Sequence, residues 1–191
     1  MKKIVSFVVL ALWVALGHIH AQDQQDQKKL LREQRREERR AQEERQDSLQ
    51  FSQAFQAINN KAFTLEANQV VFKYGQTAFV SSNTNFVSVN DDQAVVQIAF
   101  NIPAAGPNGL GGITVQGSVS GYQVTTDKSG NVYVAMNVIG AAISADVNIT
   151  LYSGSNQASV TVNPNFNSNQ LTLNGQLVPS SQSTVFQGST F

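Results

Sequence analysis

Between residues 61 and 178 apolar and polar side chains alternate with a period of two. Ile113, Val115 and Val119 alternate with Thr114, Gln116, Ser118 and Ser120. Val132, Val134, Met136 and Val138 alternate with Tyr133, Ala135 and Asn137, and Ile143, Ala145, Val147, Ile149 and Leu151 with Ser144, Asp146, Asn148 and Thr150. This alternation predicts strands with one buried face. Shorter runs follow it too: Phe63-Leu65-Ala67 continuing to Phe72, Phe86 to Val89, Val96-Ile98-Phe100, Ala158-Val160-Val162 and Leu171-Leu173 to Leu177. The links are short and rich in turn formers, such as Asp127-Lys128-Ser129-Gly130, Ser153-Gly154-Ser155-Asn156 and Asn163-Pro164-Asn165. They suit sequential antiparallel hairpins. The pattern predicts a mainly β fold, an antiparallel meander of about eight strands forming a small barrel or a two-layer sandwich.

Two departures from strict alternation predict curvature. In the first strand the apolar parity changes at Asn68-Gln69, from Phe63-Leu65-Ala67 to Val70-Phe72, which calls for a bulge or bend. Gly117 and Gly121 fall on the apolar face of the segment 113 to 124, where missing side chains permit sharp bending or close packing.

Upstream of residue 61 the period becomes helical. From Lys28 to Arg45 there is no Gly, Pro or β-branched residue, and Lys29 with Glu33, Arg39 with Glu43 and Arg40 with Glu44 stand at helical pair spacing. Leu30, Leu31 and Ala41 make no stripe that could bury, so this part faces water. Leu49, Phe51, Ala54, Phe55 and Ile58 do recur at three- and four-residue steps, with Asn59-Asn60 as a stop. Residues 22–60 are therefore predicted to be a charged helical lead-in whose end docks on the sheet of the β domain, 61–178. About 30 helical residues extend roughly 45 Å, like a stalk.

The first 21 residues read as a secretory signal peptide. Lys2 and Lys3 precede an uncharged apolar run, Ile4 to Gly17, and Ala21 supplies a small residue at the cleavage point. The run is shorter than a spanning helix needs, so the processed chain is expected to be exported to the periplasm or cell envelope without spanning the membrane by a helix. A polar tail, 179–191, ends the chain.

Composition then removes most chemistry. His18, His20 and Trp13 leave with the signal peptide, and there is no Cys. A mature chain without imidazole or thiol excludes Ser-His-Asp triads, Cys nucleophiles, disulfides and the usual zinc sites. Residues 22 to 50 carry eight basic and eight acidic groups, which largely cancels attraction to phosphate, so no nucleic-acid partner is expected. Asp91-Asp92 reads as a hairpin turn, and Asp127 with Asn131 lacks calcium-loop spacing. Gly106 to Gly112 leads into a strand, so it makes no phosphate cradle. Glu66 and Asp146 belong to polar strand faces, and Lys61, Lys73 and Lys128 point to no serine in particular. No catalytic, metal or cofactor residue is predicted, and the chain is expected not to be an enzyme.

The runs "NTNFVSVNDDQAVVQIAFN", "GLGGITVQGSVSGYQV", "ADVNITLYSGSNQASVTVN" and "LTLNGQLVP" resemble the secreted Bacteroidetes family called domain of unknown function 4251. The resemblance covers about residues 55 to 178 and implies the fold and export. It implies no activity. Where the family often carries an Arg and Ser pair, this chain has Asn165 to Ser168, so no role tied to that pair is carried over.

Two functional classes remain. The first is a non-catalytic binding module for a small ligand, glycan or peptide, whose pocket mixes apolar and amide groups, with Tyr74, Tyr122, Tyr133 and Tyr152 as further contacts. The second is an envelope assembly protein that contacts a protein partner through the charged helix. A membrane-spanning barrel fits poorly, because the strands are short and aromatic girdles are missing.

Overall fold

The computed structural model describes the backbone of residues 2–99, 112–141, 144–165 and 170–189, with side chains from residue 27 onward. The Gly-rich run 106–111, Ile143, Phe100 and residues 166–168 lie outside the described residues.

Helix α1 spans Lys2–Asn59 and stops where Asn59-Asn60 was expected to stop it. The chain divides into two compact units, one up to Arg45 and a second, Gln46–Phe191. In the first unit the described side chains are exposed apart from a half-buried Ala41. The expected pairs Lys29–Glu33, Arg39–Glu43 and Arg40–Glu44 do not close to 4 Å. Among the described residues the ion pair within that distance is Lys61–Asp92, at 3.6 Å. Fixing two long side chains in water loses about as much rotamer entropy as the screened attraction returns.

In the second unit nine strands are described: β1 (Ala62–Phe72), β2 (Thr77–Phe79), β3 (Phe86–Asn90), β4 (Gln93–Ala99), β5 (Gly112–Thr126), β6 (Val132–Ile139), β7 (Ser144–Leu151), β8 (Gln157–Pro164) and β9 (Leu171–Pro179). Every pairing is antiparallel. β1 pairs with both β3 and β9, so eight strands close into a barrel, while β2 adds to the same flank of β1 beyond β3. The barrel replaces the sandwich alternative. β2 escaped sequence reading because three residues are too few for a period.

The expected break of parity is present, as the β1–β9 register shifts between Ala67 and Gln69. A second shift lies between Ser120 and Gln123 on β5, where Gly121 takes φ +62°. Gly121 is thus an exposed bend residue rather than part of the apolar face. Beyond it Tyr122 and Val124 carry the inward row on. Gly117 is buried, and a Cβ there would stand 2.9 Å from the Ile139 backbone.

Inward positions hold Phe63, Leu65, Val87, Val96, Val134, Met136, Ile149, Val160, Leu173 and Leu177 in one packed cluster. The outward positions of β6, β7 and β8 carry mostly polar residues, Asn137, Asp146, Asn148, Thr150, Ser159 and Thr161, beside Tyr133, Ala135 and Ile139 on β6. An apolar interior inside a polar exterior is the reverse of a lipid-facing barrel. Among the described residues no helix is long and apolar enough to cross a membrane.

The end of α1 docks as expected, with Ala54, Ala57 and Ile58 buried in the interior cluster and Phe51 and Phe55 half-buried against it. Leu49 does not join them and stays 65% exposed. Tyr122 fastens this end by donating its hydroxyl to the Ile58 carbonyl at 2.7 Å, while the Lys61 ammonium lies 5.3 Å from its ring centroid. Burial pushes the Tyr122 phenol up to about 12. The folded value is raised, so its stabilisation is complete below the ordinary 10.0 and is lost as pH rises through about 12. An alkaline absorbance titration should show one phenolate forming about two pH units late. Tyr122→Phe should remove that step and cost about 1 kcal/mol.

Candidate functional site

One candidate lies where the end of α1 meets the far end of the chain. Gln53, Gln56, Ala57 and Asn60 from the helix and its stop, Ala62 from β1, and Pro179 to Gln182 line an open groove of about 500 Å³. The closure of β1 on β9 makes it, because Phe63 pairs with Pro179 and so brings residues 53–62 beside residues 179–182. Its apolar surface comes from Ala57, Ala62 and Pro179, and its rim from carboxamides and hydroxyls. Among the described residues no charged side chain lines it. A 3-10 turn, Ser180–Gln182, forms one wall, and the Ser180 hydroxyl is buried with no hydrogen-bond partner among the described residues.

A smaller depression of about 160 Å³ lies on the outer face of β5, β6 and β7. Ala135 is its floor: Gln123 and Asn148 flank it in register, and Thr125, Tyr133 and Thr150 form the next row. Tyr133 and Tyr152 are both exposed there. The adjoining turn is built around Asp127. Its carboxylate accepts from the Ser129 N–H (2.8 Å), the Asn131 N–H (2.9 Å) and side-chain amide (2.9 Å), and the Tyr133 hydroxyl (3.0 Å). These donors, the Asn131 amide foremost, hold the Asp127 carboxyl below its usual range, and the same carboxylate raises the Tyr133 phenol. With four donors on it Asp127 is an organiser of the turn and not a base.

The remaining sequence candidates scatter. Asp91 and Asp92 form the two-residue turn between β3 and β4, with Asp91 at φ +50°. Asp146 is exposed on β7. Glu66 accepts from the Ser183 hydroxyl (2.8 Å) and the Thr184 N–H (3.1 Å), and so anchors the tail. Among the described residues no group of three His, Cys, Asp or Glu side chains could hold a metal ion. Of the tyrosines named as ligand contacts, Tyr133 and Tyr152 reach the smaller depression's surroundings, Tyr122 fastens the helix, and Tyr74 is exposed beside Lys73.

The tail itself neither extends the sheet nor hangs free. It lies along the outside of the barrel, over a row that runs Glu66, Phe86, Gln97, Thr114 across β1, β3, β4 and β5. Gln97, 0% exposed, donates to the carbonyls of Thr84 (2.9 Å) and Phe186 (2.8 Å) and accepts from the Thr114 hydroxyl (2.7 Å) and the Gly188 N–H (2.8 Å). Phe86, outward-facing yet buried, lies in the same row.

Comparison with known proteins agrees with this fold. The family model described as "Domain of unknown function (DUF4251)" matches residues 45–177. A crystal structure of a DUF4251 family protein from Bacteroides eggerthii DSM 20697, at 1.95 Å resolution, is similar with a TM-score of 0.65 and 50% identity, covering 75% of this chain and 96% of that one. No curated protein matches.

Proposed function

The chain belongs to the DUF4251 family, whose domain has no known function, and from that footing we propose that it is an exported, non-catalytic binding module that takes a neutral glycan or peptide in the groove between α1 and the 3-10 turn. The observation that carries this reading is the lining: amides and hydroxyls over a small apolar floor and, among the described residues, no charge. Sugars and extended peptides both present alternating donors and acceptors beside apolar patches, and neither requires an ionised partner. The packed barrel interior speaks against a ligand held inside the sheet, which moves the expected pocket to the outside.

Calorimetric titration with neutral oligosaccharides of glucose and of N-acetylglucosamine, and with a capped Gly-Ala peptide, tests it. Saturable binding to one of them, lost in Gln56→Trp, is the expected result. Gln56 is exposed, so the indole fills the groove without entering the core. Absence of saturable binding throughout, or binding untouched by Gln56→Trp, would sink the reading.

A further inference from the structure

The lead-in helix carries equal numbers of acids and bases, yet between Lys28 and Arg40 it does not mix them, and of its eight bases Arg45 alone falls on the opposite side. At about 100° per residue, Lys28, Lys29, Arg32, Arg35, Arg36, Arg39 and Arg40 fall within an arc of about 140°. Glu33, Glu37 and Glu44 share an arc of about 40° beyond one edge of the basic arc, and Glu38 lies about 60° beyond the other edge. Glu43 and Asp47 enter the basic arc only beyond Arg40. The described side chains of this stripe are all exposed, none of these bases lies within 4 Å of a described carboxylate, and Arg32, Arg35, Arg36 and Arg39, with Glu38 and Gln42, line one shallow channel. Cancellation in the total charge therefore hides a segregated field.

We propose that this stripe is a docking surface for an anionic lipid bilayer, which it meets lengthwise through headgroup phosphates. A plane touches one side of a cylinder. Laid on such a plane the helix presents its seven bases and keeps Glu33, Glu37 and Glu44 turned away. The groove of a nucleic-acid duplex has phosphates on both edges and would face the acidic arc as well. Leu30 and Leu31 point away from the stripe, so the helix adsorbs without inserting. A run of four to eight Lys and Arg on one helix face has the size that anionic leaflets retain. The choice of a bilayer over soluble polyanions rests on the export proposed above; the charge geometry does not.

Sedimentation of the purified chain with phosphatidylcholine vesicles, and with mixed phosphatidylcholine–phosphatidylglycerol vesicles, is the test. Binding to the mixed vesicles alone is expected. It should fade as salt rises from about 0.1 M to about 1 M, where the screening length contracts from about 10 to about 3 Å. Neutralising Arg32, Arg35, Arg36 and Arg39 to Gln should weaken it by about a thousandfold. Exchanging charges within the helix at constant total (R36E, E37R, E38R, R39E) should weaken it to a similar degree, because it destroys only the segregation. Equal binding to both vesicle types would mean apolar adsorption, for example by residues 4–17 where they are retained, and would overturn the proposal. So would binding untouched by the charge exchange, or tighter binding to duplex DNA than to mixed vesicles.

Discussion

Gly175→Ala is expected to open the barrel at its seam. Gly175 lies on β9 opposite Ala67, just before the β1 bulge. A Cβ there would stand 2.0 Å from the Glu66 carbonyl oxygen and 2.8 Å from the Ala67 Cα, both backbone atoms of a strand held on its other side by β3. No rotamer relieves such a clash, so β1 and β9 must part. Overpacking against backbone should cost about 3 kcal/mol, which lowers the melting temperature by roughly 10 °C for a domain of this size. Gly154→Ala is the contrasting variant. Gly154 takes φ +80° but has no atom within 4 Å of the added carbon. Backbone strain alone should then cost about 1 kcal/mol. Equal losses in calorimetric unfolding would show that close approach is not what fixes glycine at the seam.

Much of this barrel can be read from residue types. The period of two across β6 and β7 is unbroken, because each residue there has the same choice between the aliphatic interior and water. The bulge in β1 shows as a parity change for the same reason. The second shift is written as plainly, in the step from Val115 and Val119 to Tyr122 and Val124, but the glycines around it drew attention to packing rather than to register. The tail and the groove are different in kind. Gln97 looks like an ordinary polar position on a strand until Phe186 and Gly188, some 90 residues later, arrive to use its amide. Gln56 and Ser180 share a groove only because the first strand pairs with the last. A local pattern carries no record of such meetings.

Gln97→Leu is predicted to release the tail. The substitution keeps the side chain's bulk but removes four hydrogen bonds at once, leaving the Thr84 and Phe186 carbonyls and the Gly188 N–H without their shared amide. Buried polar groups that lose a partner bear most of their desolvation cost, so about 3 kcal/mol is expected. Hydrogen exchange should locate the change, with protection lost over residues 183–189 and retained in β6 and β7. Ending the chain after Gln182 should make the same substitution much cheaper, because two of the four bonds belong to the tail and water then reaches the amide. Such non-additivity marks coupled groups. Additive effects of the truncation and the substitution would refute the tail's dependence on Gln97.

The pairing of β1 with β9 also sets an order of events at synthesis. Partners along that ladder are about a hundred residues apart, and until the last strand has been made β1 lacks one of its two neighbours. Loop closure of that length is entropically expensive and slow, so the chain remains open and extended while it is being completed. A polypeptide that cannot lock until its final strand arrives becomes a rigid cylinder only once its synthesis is complete.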